Sequence, residues 1–213
     1  MNPIVECPNR SETTFGCTPC CSKEFDTSLF GLPWNNILVG SKLTREIITE
    51  ADSNFKGNRS RLQNWYANYN KETHIQNIIH CQRANLSWGW RLRQGYCNFI
   101  LLMISILFFG EAIFALVQNK SFYEYVVELF IPSIPIVGIV LESIIEHKVL
   151  VKDKKEKEQE VSSLLDGSQV DLETARRLQD IIFTFRTSTA IIPEYFYKIF
   201  WKRFDNTMHN SID

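Results

Sequence analysis

The sequence lacks the signatures of most enzyme classes. It has no phosphate-binding glycine loop, no dinucleotide fingerprint and no nucleophile motif. His74, His80, His147 and His209 are scattered rather than grouped as a metal site needs. Net charge is also missing. The formal value of -1 over 213 residues argues against a DNA or RNA binder and against an acidic interaction tail. No apolar core follows Met1 to mark a secretory signal peptide, since the stretch to Asp26 is polar. The six cysteines, Cys7, Cys17, Cys20, Cys21, Cys81 and Cys97, are therefore expected to be reduced thiols rather than a disulfide framework. Cys17 and Cys20 with Cys7 and Cys21 could supply four thiolates to zinc. They lack the two separated pairs of a convincing site, and the better reading is an irregular leader over residues 1–24. No cofactor and no metal is expected, and the chain is not expected to be an enzyme.

Two long apolar runs dominate what is there. Phe99–Val117 is interrupted only by Ser105, Gly110 and Glu111. Tyr125–Ile145 carries Glu128, Pro132, Ser133, Pro135, Gly138, Glu142 and Ser143 among its apolar residues. A bilayer core takes roughly 20 residues of helix, which both runs supply. The mean hydropathy of -0.14 hides them by averaging with charged flanks. The expected fold class is an all-α membrane protein: a two-helix transmembrane hairpin over 96–148, with cytoplasmic helical regions over 25–95 and 149–213. Arg83, Arg91 and Arg93 precede the first run, and His147, Lys148, Lys152, Lys154 and Lys155 follow the second. The short connection holds one lysine. Positive residues stay inside, so both termini are expected in the cytoplasm of a multi-pass protein.

The membrane carboxylates are the first candidate functional residues. Each Leu, Ile, Phe or Val contributes about -0.3 to -0.6 kcal/mol to insertion, and a central charge costs about 2.5–3.5 kcal/mol. The first run therefore inserts despite Glu111. The second, with Glu128, Glu142 and two prolines, balances near zero and calls for partner helices, such as other copies of the chain. On a straight helix Glu128 and Glu142 lie about 40° apart and share a face. Pro132 and Pro135 are expected to kink that helix. These carboxylates read either as the lining of a cation-favouring pore or as protonated or snorkelling groups at helix contacts. Below the first run, Arg83, Asn85, Trp88, Arg91 and Arg93 could hold a phosphate and stack on a base, or anchor the chain at the interface.

Elsewhere, apolar spacing predicts helices over Lys42–Phe55 and Glu72–Gln94. Asp171 is expected to cap a helix with the stripe Leu172, Ala175, Leu178, Ile182 and Phe185. Pro193 suits the first turn of a final aromatic and basic helix. Several segments, in order, resemble a known group. They are Phe25-Asp26-Thr27 with Leu32-Pro33-Trp34-Asn35; Asn64-Trp65-Tyr66; and Cys81-Gln82-Arg83 with Asn85 and Trp88. After the membrane runs come Leu178-Gln179-Asp180 with Ile182 and Arg186, then Pro193 with Tyr197. Together they are similar to the SMODS-associated four-transmembrane effectors, from about Glu24 to Met208.

The resemblance implies a pore-forming effector of bacterial anti-phage defence. It would sit in the inner membrane, form homo-oligomers and answer to a cyclic oligonucleotide. The alternatives are a membrane-anchored scaffold without a pore and an inactive remnant. The family pattern would place a further transmembrane hairpin before Phe25, so a truncated or split form is expected. It also has an aspartate where Gly89 stands.

Overall fold

The computed structural model describes residues 19–54, 66, 73–167, 170–187, 190–193 and 195–196, all structural statements concern these. The ordered elements are helical. They are α1 (Pro19–Phe30), α2 (Asn36–Val39), α3 (Arg45–Asn54), α4 (His74–Val117), α5 (Phe122–Tyr125), a π turn (Val126–Phe130), α6 (Ile131–Asp166) and α7 (Leu172–Arg186). The expected breaks at Gly57-Asn58, the motif residues Trp65 and Tyr197 and the final aromatic helix beyond Phe196 lie outside the described residues, as do Cys7 and Cys17.

Residues 19–24 are not irregular, because α1 opens at Pro19. Proline suits the first helical turn, where its missing N–H would have had no partner anyway. α1 buries Cys20, Lys23, Asp26, Thr27 and Phe30 along one face. Gly31, at φ 65°, ends it. The Leu32 amide then donates 2.9 Å back to the Thr27 carbonyl, the long bond of a Schellman stop. α3 is three residues shorter at its start than the periodicity suggests, and Ile48 on it is exposed.

The two spans are parts of longer helices. The expected helix over Glu72–Gln94 and the first apolar run are one helix of 44 residues, α4. Gly95 lies between them, but one glycine costs only about 1 kcal/mol relative to alanine. The Gln94 side chain also bonds Asn98 one turn on, at 2.9 Å. α6 likewise carries the second run straight into the charged stretch that follows it. The turn between the spans is capped at both ends. Asn119, at φ 52°, closes α4 with bonds from its own amide to Leu116 and from Lys120 to Ala115. Ser121 and Glu124 then form a reciprocal capping box at the start of α5. Every such bond matters at a bilayer surface, where an unpaired backbone group is costly.

The proline pair shows as a π turn directly before Pro132. The Ile131 amide bonds Val126, five residues back. Pro132 and Pro135 cannot donate to Glu128 and Ile131, and Ser133 Oγ instead donates 2.8 Å to the Phe130 carbonyl. The turn places Glu128 inside a stretch of irregular pitch, so the 40° offset expected for a straight helix does not carry over.

The most apolar windows of the two long helices are only 6% and 11% buried. Phe109 and Ile139 are each 71% exposed. A core helix of a soluble protein would be covered. These are bare apolar cylinders long enough to cross a bilayer, and the chain is an all-α membrane protein.

The chain divides into two compact units that do not follow the linear division into leader, flank, hairpin and tail. One comprises Met1–Leu86, Glu158–Ser188 and Ser211–Asp213; the other Ser87–Lys157 and Thr189–Asn210. The division is interleaved because α4 and α6 each run through both. In the first unit Cys20, Val39 and Phe183 pack together with Trp34 and Leu38. In the second, Leu92, Tyr96 and Phe196 form a core with Trp88, Phe99, Ile100 and Ile192. Cys20 is disulfide-bonded, which corrects the expectation of reduced thiols throughout; Cys21, Cys81 and Cys97 take part in no disulfide.

Candidate functional site

The first unit is organised around buried charge. Asp26, on the inner face of α1, is 2% exposed. It accepts three hydrogen bonds: from the Tyr66 hydroxyl at 2.8 Å, from Gln179 Nε2 at 2.8 Å and from an Arg186 guanidinium nitrogen at 2.7 Å. One turn earlier on the same face, Lys23 pairs with Asp180, whose other oxygen accepts from Asn35 Nδ2 at 2.7 Å. Gln82 of α4 donates to Gln179 Oε1 at 3.0 Å and to the Ala175 carbonyl at 2.8 Å. Asn85, one turn on, reaches the Tyr66 hydroxyl at 3.3 Å. Two cations, Lys23 and Arg186, thus offset two anions, Asp26 and Asp180. Burial is tolerable because each charge is both paired and hydrogen-bonded.

α7 presents its side of this network through its helical phase. Asp171 caps it, accepting 2.8 Å from the Thr174 amide. Its buried face is Ala175, Leu178, Gln179, Ile182 and Phe183. That face is rotated from the expected stripe, since Leu172 is 45% exposed and Phe183 replaces Phe185 inside. Trp34 donates its indole N–H 2.8 Å to the Gly40 carbonyl, and so fixes the loop that carries Asn35.

The network perturbs its titratable members. Burial, then the Asp26 charge, drives the Tyr66 hydroxyl far above the ordinary tyrosine range. Burial lowers Lys23 despite the opposing pull of Asp180. Burial, then Asp26, pushes the Cys81 thiol up to about 11. The thiolate is the reactive form. We therefore expect Cys81 to resist iodoacetamide at pH 7.5 in the native protein and to react on denaturation. Mass spectrometry of the alkylated peptide reads the difference, at least ten-fold in rate. Rapid native labelling would contradict the burial.

The membrane carboxylates are dispersed within one chain. Among the described residues, no hydrogen bond or ion pair joins Glu111, Glu128 and Glu142. Glu111 is half-buried on α4, and one of its carboxylate oxygens is enclosed without a partner. Glu128 lies at the start of the second span, 52% exposed, and pairs with Lys120 of the connecting turn. Glu142 is exposed on α6. The spans touch through Phe108 and Phe130, whose ring centroids are 5.6 Å apart.

The expected juxtamembrane group is split by the structure. Asn85 belongs to the network above. Arg83 points to Glu158 at 3.5 Å, and its Nε is buried without an acceptor. In the second unit, Trp88 packs into the Tyr96 core. Arg91 lies 5.3 Å and Lys155 5.7 Å from the centroid of the Trp90 ring. At Gly89 a Cβ would lie 3.1 Å from Lys154 Nζ, so the lysine fills the space a side chain would need.

Arg93 makes the most specific contact of this group. One guanidinium nitrogen donates to the Ala190 carbonyl at 2.6 Å and meets His147 Nδ1 at 3.0 Å. Guanidinium only donates, so this Nδ1 carries no proton. His147 is 1% exposed, and burial, then Arg93, lowers its pKa to about 4. The Tyr96 ring lies edge-on to His147 at 5.0 Å. A lowered histidine costs stability only where the unfolded chain is protonated and the folded chain is not. We expect stability to be unaffected above pH 6.5 and to fall as pH drops from about 6.5 to about 4, by about 3 kcal/mol at full extent. His147→Gln keeps a neutral acceptor and should flatten that slope. Thermal unfolding in detergent at pH 7.5 and pH 4.5 reads it; an equal slope in both proteins would contradict the assignment.

Eight of the residues that carry the sequence resemblance thus converge on one network: Asp26, Asn35, Tyr66, Gln82, Asn85, Gln179, Asp180 and Arg186. The family model for the SMODS-associating 4TM effector domain matches residues 21–213. The chain belongs to this family. It is also similar to a protein of Bacillus cereus (strain VD146) described as a "probable CBASS effector molecule", with 30% identity over 191 residues. That alignment covers 87% of this chain and 64% of the relative, so the chain spans less than two thirds of the relative's length. No solved structure matches.

Within this family member, the motif residues share a structural task. They join α1, the loop before α2, Tyr66, α4 and α7, segments far apart in sequence. Lys23 completes the set and lies outside the motifs. Its signal was a lysine on the inner face of α1, between Cys20 and Thr27 at helical spacing, where only a paired cation is tolerated. His147 and Ala190 have no such signal. One looks like any flanking basic residue, and the other acts through its backbone.

Proposed function

We propose that this chain is a non-catalytic membrane effector of bacterial anti-phage defence. On activation it assembles with other copies and permeabilises the inner membrane. The observation that carries the reading is the pair of bare apolar helices with carboxylates at bilayer depth. In a single hairpin Glu142 is exposed and an oxygen of Glu111 is enclosed without a donor. A charge facing lipid near the centre costs about 2.5–3.5 kcal/mol. Such groups are met by partner helices or by a water-filled lumen. Other copies of the chain supply both, and carboxylates around a lumen favour cations.

Family membership and the relative's description support the effector role. CBASS denotes signalling through cyclic oligonucleotides, so a cyclic oligonucleotide is the activating ligand in this reading. The charges flanking the spans support a topology with both termini in the cytoplasm. Residues 25–95 and 149–213 then form the cytoplasmic flanks of a hairpin over 96–148.

The test is inducible expression in a bacterium loaded with a membrane-potential dye, with and without synthetic cyclic di- and trinucleotides. The reading expects depolarisation that depends on one of the nucleotides. Membrane-located protein that leaves the potential intact under all of them contradicts it and favours a scaffold.

A further inference from the structure

Within the second unit, the Trp90 ring gathers two cations. Arg91 lies 5.3 Å and Lys155 5.7 Å from its centroid. Both cations are exposed. Neither has a carboxylate partner among the described residues. An exposed cation on an aromatic face is held only weakly. The neighbouring acids of α6 do not neutralise them. Glu156 is committed to Lys152, at 3.9 Å. Asp153 stands two residues before Lys155, about 160° round the helix. The Trp90 indole N–H is enclosed and has no acceptor among the described residues. A buried donor left unpaired is costly, and it marks a place where an acceptor is missing. Two cations without carboxylates and one unanswered N–H together fit an anion with hydrogen-bonding oxygens.

We infer that Trp90, Arg91 and Lys155 form a binding site for a phosphodiester, supplied by a soluble nucleotide rather than by a lipid headgroup. A phosphodiester carries one negative charge and two non-bridging oxygens. These accept from a guanidinium fork, an ammonium and an indole N–H. Drawing Arg91 and Lys155 onto phosphate also bares an aromatic face on which a base stacks. A phospholipid offers the same phosphodiester, and depth decides between the two. Trp90 stands nine residues before Phe99, about 13 Å along the helix, and Lys155 ten residues after Ile145, about 15 Å. Each headgroup layer is only about 5–7 Å thick. Even a helix tilted by about 40° keeps Trp90 about 10 Å from the hydrocarbon edge. The site therefore faces water beyond the headgroups. The inference rests on the proposed cyclic-oligonucleotide reading and says where that ligand is held.

The experiment uses the full chain in phosphatidylcholine nanodiscs and titrates in the synthetic cyclic di- and trinucleotides named above, with calorimetry as the readout. One of them is expected to bind the wild type. Arg91→Gln with Lys155→Gln is expected to weaken that binding at least ten-fold. Both positions are exposed, so the fold should survive, and an unchanged unfolding temperature reports it. Trp90→Phe keeps the ring and loses the N–H, and should weaken binding about three- to ten-fold. Lys152→Gln removes a cation from the same helix that is already paired, and should stay within about two-fold. A second arm uses nanodiscs of about one-third phosphatidylglycerol and reads retained lipid by native mass spectrometry.

Wild-type nucleotide affinity in the double variant overturns the inference, as does a wild type that binds no nucleotide. Phosphatidylglycerol held by the wild type and lost from the double variant, with no nucleotide bound, would make the source a lipid and overturn it too. The site and the pore reading fail separately. A nucleotide that depolarises cells expressing the double variant as fully as wild type sinks the site and leaves the proposed function standing. Binding that depends on the site, in a protein that never depolarises cells, upholds the site and sinks the pore reading.

Discussion

Asp26→Ala is expected to destabilise the protein by about 3–5 kcal/mol, the usual cost of removing one member of a buried ionic group. The substitution removes the acceptor of three hydrogen bonds at once. It leaves the Arg186 guanidinium without its carboxylate and Tyr66 and Gln179 without theirs. Lys23 and Asp180 still pair, so a net positive charge remains in the unit's interior. A change on this scale is a large part of a typical folding free energy. Proteolysis in detergent or differential scanning fluorimetry should show early unfolding of α1 and α7 together. Asp26→Asn keeps the shape and part of the bonding and is expected to cost less, because the amide can still accept from Tyr66. Equal stability of Asp26→Ala and wild type would mean that the charges are solvated and the network does not hold the unit.

The second large effect is expected from the membrane carboxylates. Glu111→Gln with Glu142→Gln removes two formal charges from the spans without changing their length or side-chain size. Insertion should improve, since a central charge costs about 2.5–3.5 kcal/mol. Conduction should change in the opposite sense. The cation-to-anion permeability ratio of the activated membrane is expected to fall at least several-fold, because carboxylates around a lumen concentrate cations. Reversal potentials under a potassium chloride gradient measure the ratio. An unchanged ratio would place both groups at helix contacts rather than in the lumen. Glu128→Gln serves as the comparison. Its partner Lys120 already neutralises it, so its removal should matter less.

The spans were legible because apolar length is a one-dimensional property. So was the Asp171 cap, since a capping carboxylate acts only three residues along. The π turn was legible only as a disturbance: Pro132 and Pro135 say that amide donors are missing, not how the chain will redistribute its bonds. Periodicity also announced where helices lie but not where they stop. Gly95 and Asn98 looked like a boundary, yet their cost is small beside the continuity that α4 gains. Pro19 was a readable start signal, set aside under the pull of four nearby cysteines.

The network was half legible. The motifs singled out Asp26, Asn35, Gln179, Asp180 and Arg186. What no local pattern contains is that Arg186 answers Asp26 and that Lys23 answers Asp180, more than 150 residues away. Pairing is a tertiary fact, and charge balance becomes visible only when all four ions are seen together. The juxtamembrane stretch misled for a related reason. Asn85, Trp88 and Arg93 are neighbours along the chain, but a helix sends neighbours to different sides. Asn85 is drawn into one unit, and Trp88 and Arg93 into the other.

The central claim is that copies of this chain form a conducting path when activated. Current recording across a planar bilayer containing the purified full chain tests it most directly, before and after adding the synthetic cyclic di- and trinucleotides. The account predicts a quiet bilayer, then discrete cation-selective current steps with one of the nucleotides. A bilayer that holds inserted protein yet stays electrically silent with every nucleotide would contradict it.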